Sequence, residues 1–481
     1  MEIVTYVFQY VIFFYTFFLI SFYILLAFFA YFNNVRHRLR YTEKEENILK
    51  MSTDIAPGIS VVAPAYNEEV IILDNVRSFL NLEYPTFEVV IVNDGSKDKT
   101  LELLIDNFDL EPISFPYLQK LHCQPVKQIY RSRNPEFSKL TVVDKVNGGT
   151  KADAINAGIN IAKYDYFINT DVDCILSKQA LVRTMLPVLG SKTPVIAVGG
   201  TMRMVNGCEV SHGEITRVRP PSKIIPLFQE TEYLRSYLVA KMGWSLFNLI
   251  PNVSGGFGLF KTDIVIKVGG YDPLSHAEDM DITIRMATYM RENRKKYKII
   301  QVPETCVWTE GPPNLKVLQR QRSRWGRGLF QVLAVHRKIL FNPRYGRLGM
   351  IILPYALFFE FFAPWIELTG ICFLIFLLLT RQVNFETFWL MLILVYMIGI
   401  TFSIVTIAFD LTIRKLYRKN REYLKLILFS SLEAFLYHPL IVIFSLRGYW
   451  QFLTRKNFSW GEMTRQGHIQ SSSAPTSTTT T

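Results

Sequence analysis

Ile59-Ser60-Val61-Val62-Ala63-Pro64-Ala65-Tyr66-Asn67-Glu68-Glu69 is an apolar run that gives way at once to polar residues and then to a helical pattern. A run of this length reads as a buried strand feeding a helix. The same grammar returns along the chain. Phe87 to Val92 precedes Asn93-Asp94-Gly95-Ser96, Tyr164 to Ile168 leads to Asp171-Val172-Asp173, and Val195 to Val198 is a fourth apolar run. Helical patterns over 68–82, 98–108, 151–163 and 177–189 separate them. From about 57 to 310 the chain therefore predicts an α/β domain with a mostly parallel sheet. Ligands of such sheets bind beyond the carboxyl ends of the strands, which is where Asn67, Asp94 and Asp171 fall.

The flanks are different. Hydrophobic residues make up 49% and aromatics 14% of the 481 residues, and they concentrate in 4–32 and 347–446. Segment 4–32 is long enough to span a bilayer. It has no basic residue before it and no A-x-A cleavage site near its end, so an uncleaved anchor fits better than a signal peptide. Three apolar segments follow the middle domain, at 347–380, 384–409 and 422–446. The first carries Glu360, Pro364 and Glu367 near its middle, which fits either a kinked span or a re-entrant piece followed by a span. The net charge is +12, with the excess beside the apolar segments: Arg36, His37, Arg38 and Arg40, then Arg344 and Arg347, then Arg414, Lys415, Arg418, Lys419 and Arg421, then Arg455 and Lys456. That placement favours the cytoplasmic membrane face. With no recognised binding motif beside it, the charge gives no reason to expect a nucleic-acid partner. A single crossing by 422–446 would separate two basic clusters that both ask for the cytoplasm; a hairpin or re-entrant path around His438-Pro439 removes the conflict. The five cysteines show neither a zinc spacing nor a disulfide framework, as expected in a reducing compartment.

The expected organisation is thus an anchor (1–35), a basic linker (36–56), the α/β domain (57–313), an amphipathic interfacial helix region (314–346), a transmembrane or re-entrant region (347–446) and a basic tail (447–481) that ends in low-complexity sequence.

Several motifs carry chemistry, each with a plainer reading beside it. Backbone amides from Ala65 to Glu68 can hold a base and ribose, or Glu68 and Glu69 can merely favour a helix N-terminus. Asp94 can accept a hydrogen bond from the imide N–H of a uracil ring, or cap the next helix. Gly148-Gly149-Thr150-Lys151 lacks the Walker spacing, yet Lys151 at a helix start can meet a diphosphate; otherwise it is a solvated lysine. Asp171 and Asp173 point to one side of an extended segment, where their hard oxygens can hold Mg²⁺ or Mn²⁺, or they form a solvated turn. Residues 252–260, rich in small side chains, would let a bulky acceptor approach Gly255, with Phe257 free to stack on a sugar; the alternative is a flexible loop. Glu278 and Asp279 lead a helix and could simply cap it. In Gln321-Arg322-Ser323-Arg324-Trp325, helical spacing places Gln321, Arg324 and Trp325 on one face.

The complete Q-[QR]-x-R-W pattern, with the acidic motifs in order before it over residues 59–325, resembles the membrane-embedded family 2 glycosyltransferases. That group includes the cellulose, chitin, hyaluronan and poly-N-acetylglucosamine synthases. The resemblance implies a GT-A-like domain on the cytoplasmic face of the cell membrane, a UDP-sugar donor, a divalent cation held chiefly by Asp173 with Asp171 nearer the ribose, and Asp279 as general base. It further implies that Arg324 meets the diphosphate, while Trp325 floors an acceptor site shared with Gln321 and Glu278. His276-Ala277 departs from the cellulose synthases, which have a threonine directly before the acidic pair. The expected activity is processive β-glycan synthesis, with membrane lipids around the enzyme and an accessory export subunit allowed for. Transfer of one sugar to a lipid or lipid-linked acceptor is the alternative within the enzymes, and a nucleotide-sensing transport protein the alternative outside them.

Overall fold

The computed structural model describes residues 2–52, 56–211, 213–413 and 415–454. Arg414, Arg455, Lys456 and the low-complexity tail lie outside the described residues. Twelve strands are present among them: β1 Ile59–Ala65, β2 Phe87–Asn93, β3 Leu110–Ile113, β4 Val126–Ser132, β5 Leu140–Lys145, β6 Tyr166–Thr170, β7 Ile175–Leu176, β8 Val195–Met204, β9 Glu209–Ser211, β10 Glu214–Arg217, β11 Phe257–Lys261 and β12 Lys298–Thr309. Ten form one sheet in the order β3-β4-β5-β2-β1-β6-β11-β8-β12-β7, and β9 pairs with β10.

Strand alternation divides the apolar residues between two cores. Val62, Val90, Val92 and Phe167 pack on one face of the sheet, while Val61, Ala63, Val89, Ile91 and Ile168 pack on the other. Both faces are covered, as their near-continuous apolar sequence requires.

The parallel block is β5-β2-β1-β6, with β8 and β12 parallel to each other. The whole sheet is mixed rather than mostly parallel, because β11 runs antiparallel between β6 and β8, and β3-β4-β5 and β12-β7 are antiparallel as well. This reversal positions the site. Phe257, the first residue of β11, pairs with Thr170, the last of β6. The segment 252–256 is thereby laid against Asp171-Val172-Asp173, at the same edge where β1 and β2 end.

Among the described residues, three helical stretches are long and apolar enough to cross a membrane: Tyr10–Arg40, Leu348–Leu379 and Tyr396–Ile413. A fourth candidate is broken. Helices Asn420–Leu436 and His438–Leu453 meet at a 50° bend that falls at His438-Pro439, the geometry of either a broken span or a re-entrant loop. The Leu348–Leu379 stretch is interrupted by wide turns at Leu348–Ile352 and Ala356–Phe361, flanking Pro354 and preceding Pro364. Proline removes a backbone donor and loosens a helix at such points. The span expected as a linker contains the helix Glu43–Met51, and the N-terminal helix continues to Arg40.

Candidate active site

The turns after β1 and β2 are laced together. Asn67 has a left-handed backbone (φ 56°) that asparagine tolerates better than most residues. Its N–H donates to Ser96 Oγ at 3.1 Å, its Oδ1 accepts from the Lys97 N–H at 2.9 Å, and the Glu68 N–H donates to Thr100 Oγ1 at 2.8 Å. The Ala65 carbonyl accepts from the Asp94 N–H at 2.9 Å. The amides of Asn67 and Glu68 therefore fix the second turn. The following helix begins at Ile72, later than the sequence pattern predicts.

Asp94 does not cap the next helix; Asp98 bonds the Thr100 N–H at the start of that helix instead. Asp94 Oδ1 accepts from Lys145 Nζ at 2.5 Å and from the Gly148 N–H at 3.0 Å, and Lys145 Nζ lies 2.6 Å from Asp153 Oδ2. Lys145 is 0% exposed. A buried ammonium between two carboxylates is a rigid floor for this end of the site, and sequence reading missed it. The run Leu140 to Val143 was the available signal, since it is apolar and β-branched and ends in Asp144-Lys145.

Lys151 sits at the first turn of the helix Lys151–Ile161, behind Thr150 as N-cap. Its ammonium is ion-paired with Asp171 and donates to the Gly255 carbonyl at 2.6 Å. Burial pulls the Lys151 pKa down, but the Asp171 and Glu278 carboxylates outweigh it and hold the group above the ordinary lysine value. The same Gly255 carbonyl accepts from Asn169 Nδ2 at 3.1 Å, and the Gly255 N–H donates to Asp279 Oδ2 at 3.2 Å. A Cβ on Gly255 would lie 3.3 Å from Glu278 Oε1, a tight contact that the glutamate side chain would have to yield to. Asp171, Lys151, Gly255 and Asp279, scattered over the sequence, form one chain of contacts.

Asp279 is the second residue of the helix Glu278–Glu292. Its Oδ2 also accepts from Asn252 Nδ2 at 3.1 Å, and its Oδ1 accepts from the Met280 N–H at 2.8 Å. This carboxylate thus bonds the first turn of its own helix and the segment before β11 at once. Burial, then the neighbouring Asp279, pushes the Glu278 carboxyl up, against the pull of Lys151 and Arg324.

The Gln321–Trp325 motif lies on the helix Leu315–Val335. Its two arginines have different surroundings. Arg322 is buried and bidentate to Glu232, with Nη1 to Oε1 at 2.7 Å, and it also donates to the Tyr437 hydroxyl at 2.8 Å. Its guanidinium stacks 4.3 Å from the Trp325 ring centroid. Arg324 instead acts electrostatically on Glu278 and His276. Trp325 remains 38% exposed, supported from behind by Arg322. Gln321 Oε1 accepts from Gln229 Nε2 at 3.1 Å. Glu232 and Tyr437 carry no local sequence signal; only the tertiary packing brings them to Arg322.

Phe257 corrects an expectation. It is 0% exposed, on β11 and inside the core, so its ring has no face to offer a sugar, and the stretch expected as a small-residue loop becomes a central strand from that residue on.

Asp171, Asp173 and Cys174 present ligand atoms within 4.8 Å of one another. Two hard carboxylate oxygens on one turn suit Mg²⁺ or Mn²⁺ better than a soft metal. Burial, then Asp173 and Asp171, raises the Cys174 pKa well above the ordinary value, and a soft thiol is the poorer match to a hard cation.

Comparison with known proteins agrees with this arrangement. The family described as Glycosyl transferase family 2 matches residues 60–118, and Glycosyl transferase family group 2 matches residues 230–413. A poly-β-1,6-N-acetyl-D-glucosamine synthase of Staphylococcus epidermidis is 28% identical over 338 residues, 70% of this chain and 69% of that protein. The probable glycosyltransferase YdaM of Bacillus subtilis is 26% identical over 337 residues, 69% of this chain and 68% of that one. Among solved structures, the mannosyltransferase PcManGT from Pyrobaculum calidifontis, in complex with GDP-Man and Mn²⁺, aligns over 90% of this chain and 100% of its own, at 16% identity and a TM-score of 0.49. With the first match covering the turns after β1 and β2, and the second running from residue 230 through the arginine-tryptophan helix to residue 413, the chain is a glycosyltransferase that resembles the family 2 enzymes and, among them, the polysaccharide synthases.

Proposed function

We propose that this enzyme is a membrane-bound synthase that transfers sugars, with inversion, from a UDP-sugar to a growing β-glycan. The observation that carries the reading is the contact chain from Asp171 through Lys151 and Gly255 to Asp279, with Arg324 acting on Glu278 at its far end.

In this reading residues 57–313 form the catalytic domain on the cytoplasmic side. Asp94, with Ala65, Asn67 and Glu68, lines the nucleotide end. Asp173 and Asp171 would hold Mg²⁺ or Mn²⁺, and the cation, when bound, supplies positive charge beside the diphosphate. Lys151 and Arg324 bring fixed cationic charge to the same region from the protein side, so charge developing on the departing UDP meets preorganised partners. Asp279 takes the proton from the acceptor hydroxyl as that oxygen attacks the anomeric carbon. Its orientation is fixed by Asn252 and Gly255, and its charge favours an acceptor approaching over the Trp325 ring, whose apolar face suits the underside of a sugar. Gln321, Glu278 and Gly255 border that acceptor site.

The names of the relatives support N-acetylglucosamine as the first donor sugar to try. The test is product length from a panel of radiolabelled UDP-sugars supplied to the purified enzyme with Mn²⁺. A ladder of glycan sizes from one donor is expected. A single glycolipid band would contradict polymerisation, and absence of UDP release from every donor would contradict an enzyme altogether.

A further inference from the structure

Lys241 ends the wide helical turn Arg235–Lys241, which leads from the amphipathic helix before it into the short helix Met242–Leu246. The residue is 7% exposed. Its ammonium lies 4.8 Å from the Tyr237 ring centroid and donates no hydrogen bond among the described residues. An ammonium this enclosed, with no hydrogen-bond partner of its own, would gain one from a ligand oxygen. Tyr237, one turn earlier, is close enough to Ser254 for that side chain to act on its hydroxyl. Ser254 adjoins Gly255, whose N–H holds Asp279. Two carboxylates act on the Lys241 ammonium, Asp279 from the catalytic domain and Glu360 from the membrane region. Burial pushes its pKa down to about 8 against their combined pull. Neither carboxylate forms an ion pair with it among the described residues, which leaves its donors available to a ligand.

We infer that Lys241 is an acceptor-binding residue, whose buried ammonium donates a hydrogen bond to an oxygen of the acceptor saccharide while Asp279 takes the proton from that saccharide's attacking hydroxyl. The inference rests on the function proposed above. Sugar hydroxyl, ring and amide oxygens are the acceptors that such a compact, donor-only group matches. The charges that act on Lys241 are those of Asp279 and of Glu360 in the membrane region, and none belongs to the residues assigned to the nucleotide end. Loss of Lys241 therefore weakens the acceptor and spares the nucleotide.

The experiment uses full-length enzyme in detergent with Mn²⁺, UDP-N-acetylglucosamine and a short β-1,6-linked N-acetylglucosamine oligosaccharide as added acceptor. For Lys241→Met the expected result is an acceptor KM raised at least tenfold, kcat within threefold and UDP affinity within twofold of wild type. A fall in kcat at unchanged acceptor KM overturns the inference. Wild-type protein gives a second reading that does not depend on how the variant folds. Acetylation of Lys241 by acetic anhydride, followed by mass spectrometry, should slow at least fivefold with saturating oligosaccharide and not with UDP alone. Labelling indifferent to the oligosaccharide, or no labelling at all, overturns the inference. If wild type extends no oligosaccharide, the proposed function fails and the inference falls with it. Extension by wild type with an unchanged KM in Lys241→Met removes the role of Lys241 alone.

Discussion

His276 shows how the surroundings of one residue set a measurable property of the whole fold. Burial first, then the nearby Arg327 and Arg324 guanidinium groups, lowers its pKa to about 4. In the unfolded chain an imidazole titrates near ~6.5. As pH falls below that value the unfolded chain takes up a proton that the folded protein refuses, so stability present above about 6.5 is lost progressively down to about 4. We expect His276→Asn to flatten the fall in thermal unfolding temperature across that window, measured by intrinsic fluorescence in detergent; an unchanged slope would contradict the assignment. Arg324, one of the two guanidinium groups that act on His276, also acts on Glu278 two residues later. At the other end of the site, Lys145 holds Asp94 and Asp153 at hydrogen-bond distance, and its importance comes from burial rather than from its place in any motif.

At the scale of elements, the helix Leu315–Val335 is set by close backbone approach. A Cβ on Gly448 would lie 2.2 Å from the Ser323 carbonyl oxygen, and one on Gly328 would lie 2.7 Å from the Ala277 Cβ. One glycine lets the helix touch His438–Leu453, and the other lets it touch the segment that delivers Glu278 and Asp279. Ser323 Oγ donates to the Phe444 carbonyl at 3.0 Å, and Gln331 Oε1 accepts from the His276 N–H at 2.9 Å. Gly448→Ala should destabilise the protein by about 1–3 kcal/mol through overpacking and lower transfer activity with it, read as unfolding temperature and UDP release; wild-type values for both would contradict this packing. The motif on this helix was legible because it is local, and so were the strand ends that carry Asn67, Asp94 and Asp171. β11 was not legible. Its five residues, Phe257 to Lys261, follow Gly255-Gly256 and read as the end of a loop, and only insertion between β6 and β8 makes a strand of them. The division of labour between Arg322 and Arg324 was equally hidden, because Glu232 and Tyr437 are 90 and 115 residues away from Arg322 in sequence.

Across the whole molecule, buried charge joins the sheet to the membrane region. Arg203 on β8 donates from Nε to Glu230 Oε1 at 2.8 Å and from Nη1 to Asp410 Oδ1 at 2.7 Å, and the Tyr417 hydroxyl donates to the same Glu230 oxygen at 2.8 Å. Asp410 belongs to the apolar helix Phe385–Ile413. Removing the cation strands two buried carboxylates, so Arg203→Met should cost roughly 3–5 kcal/mol, seen as a lowered denaturation midpoint; a midpoint equal to wild type would show that this bridge does not hold the parts together. Such a bridge fixes where the membrane helices stand relative to Asp279, whose chemistry is the heart of the proposal. The most direct measurement compares wild type and Asp279→Asn in purified membranes with Mn²⁺ and UDP-sugar. The expected result is at least a hundredfold loss of sugar transfer with UDP affinity nearly intact. Transfer by Asp279→Asn at close to the wild-type rate would contradict the account.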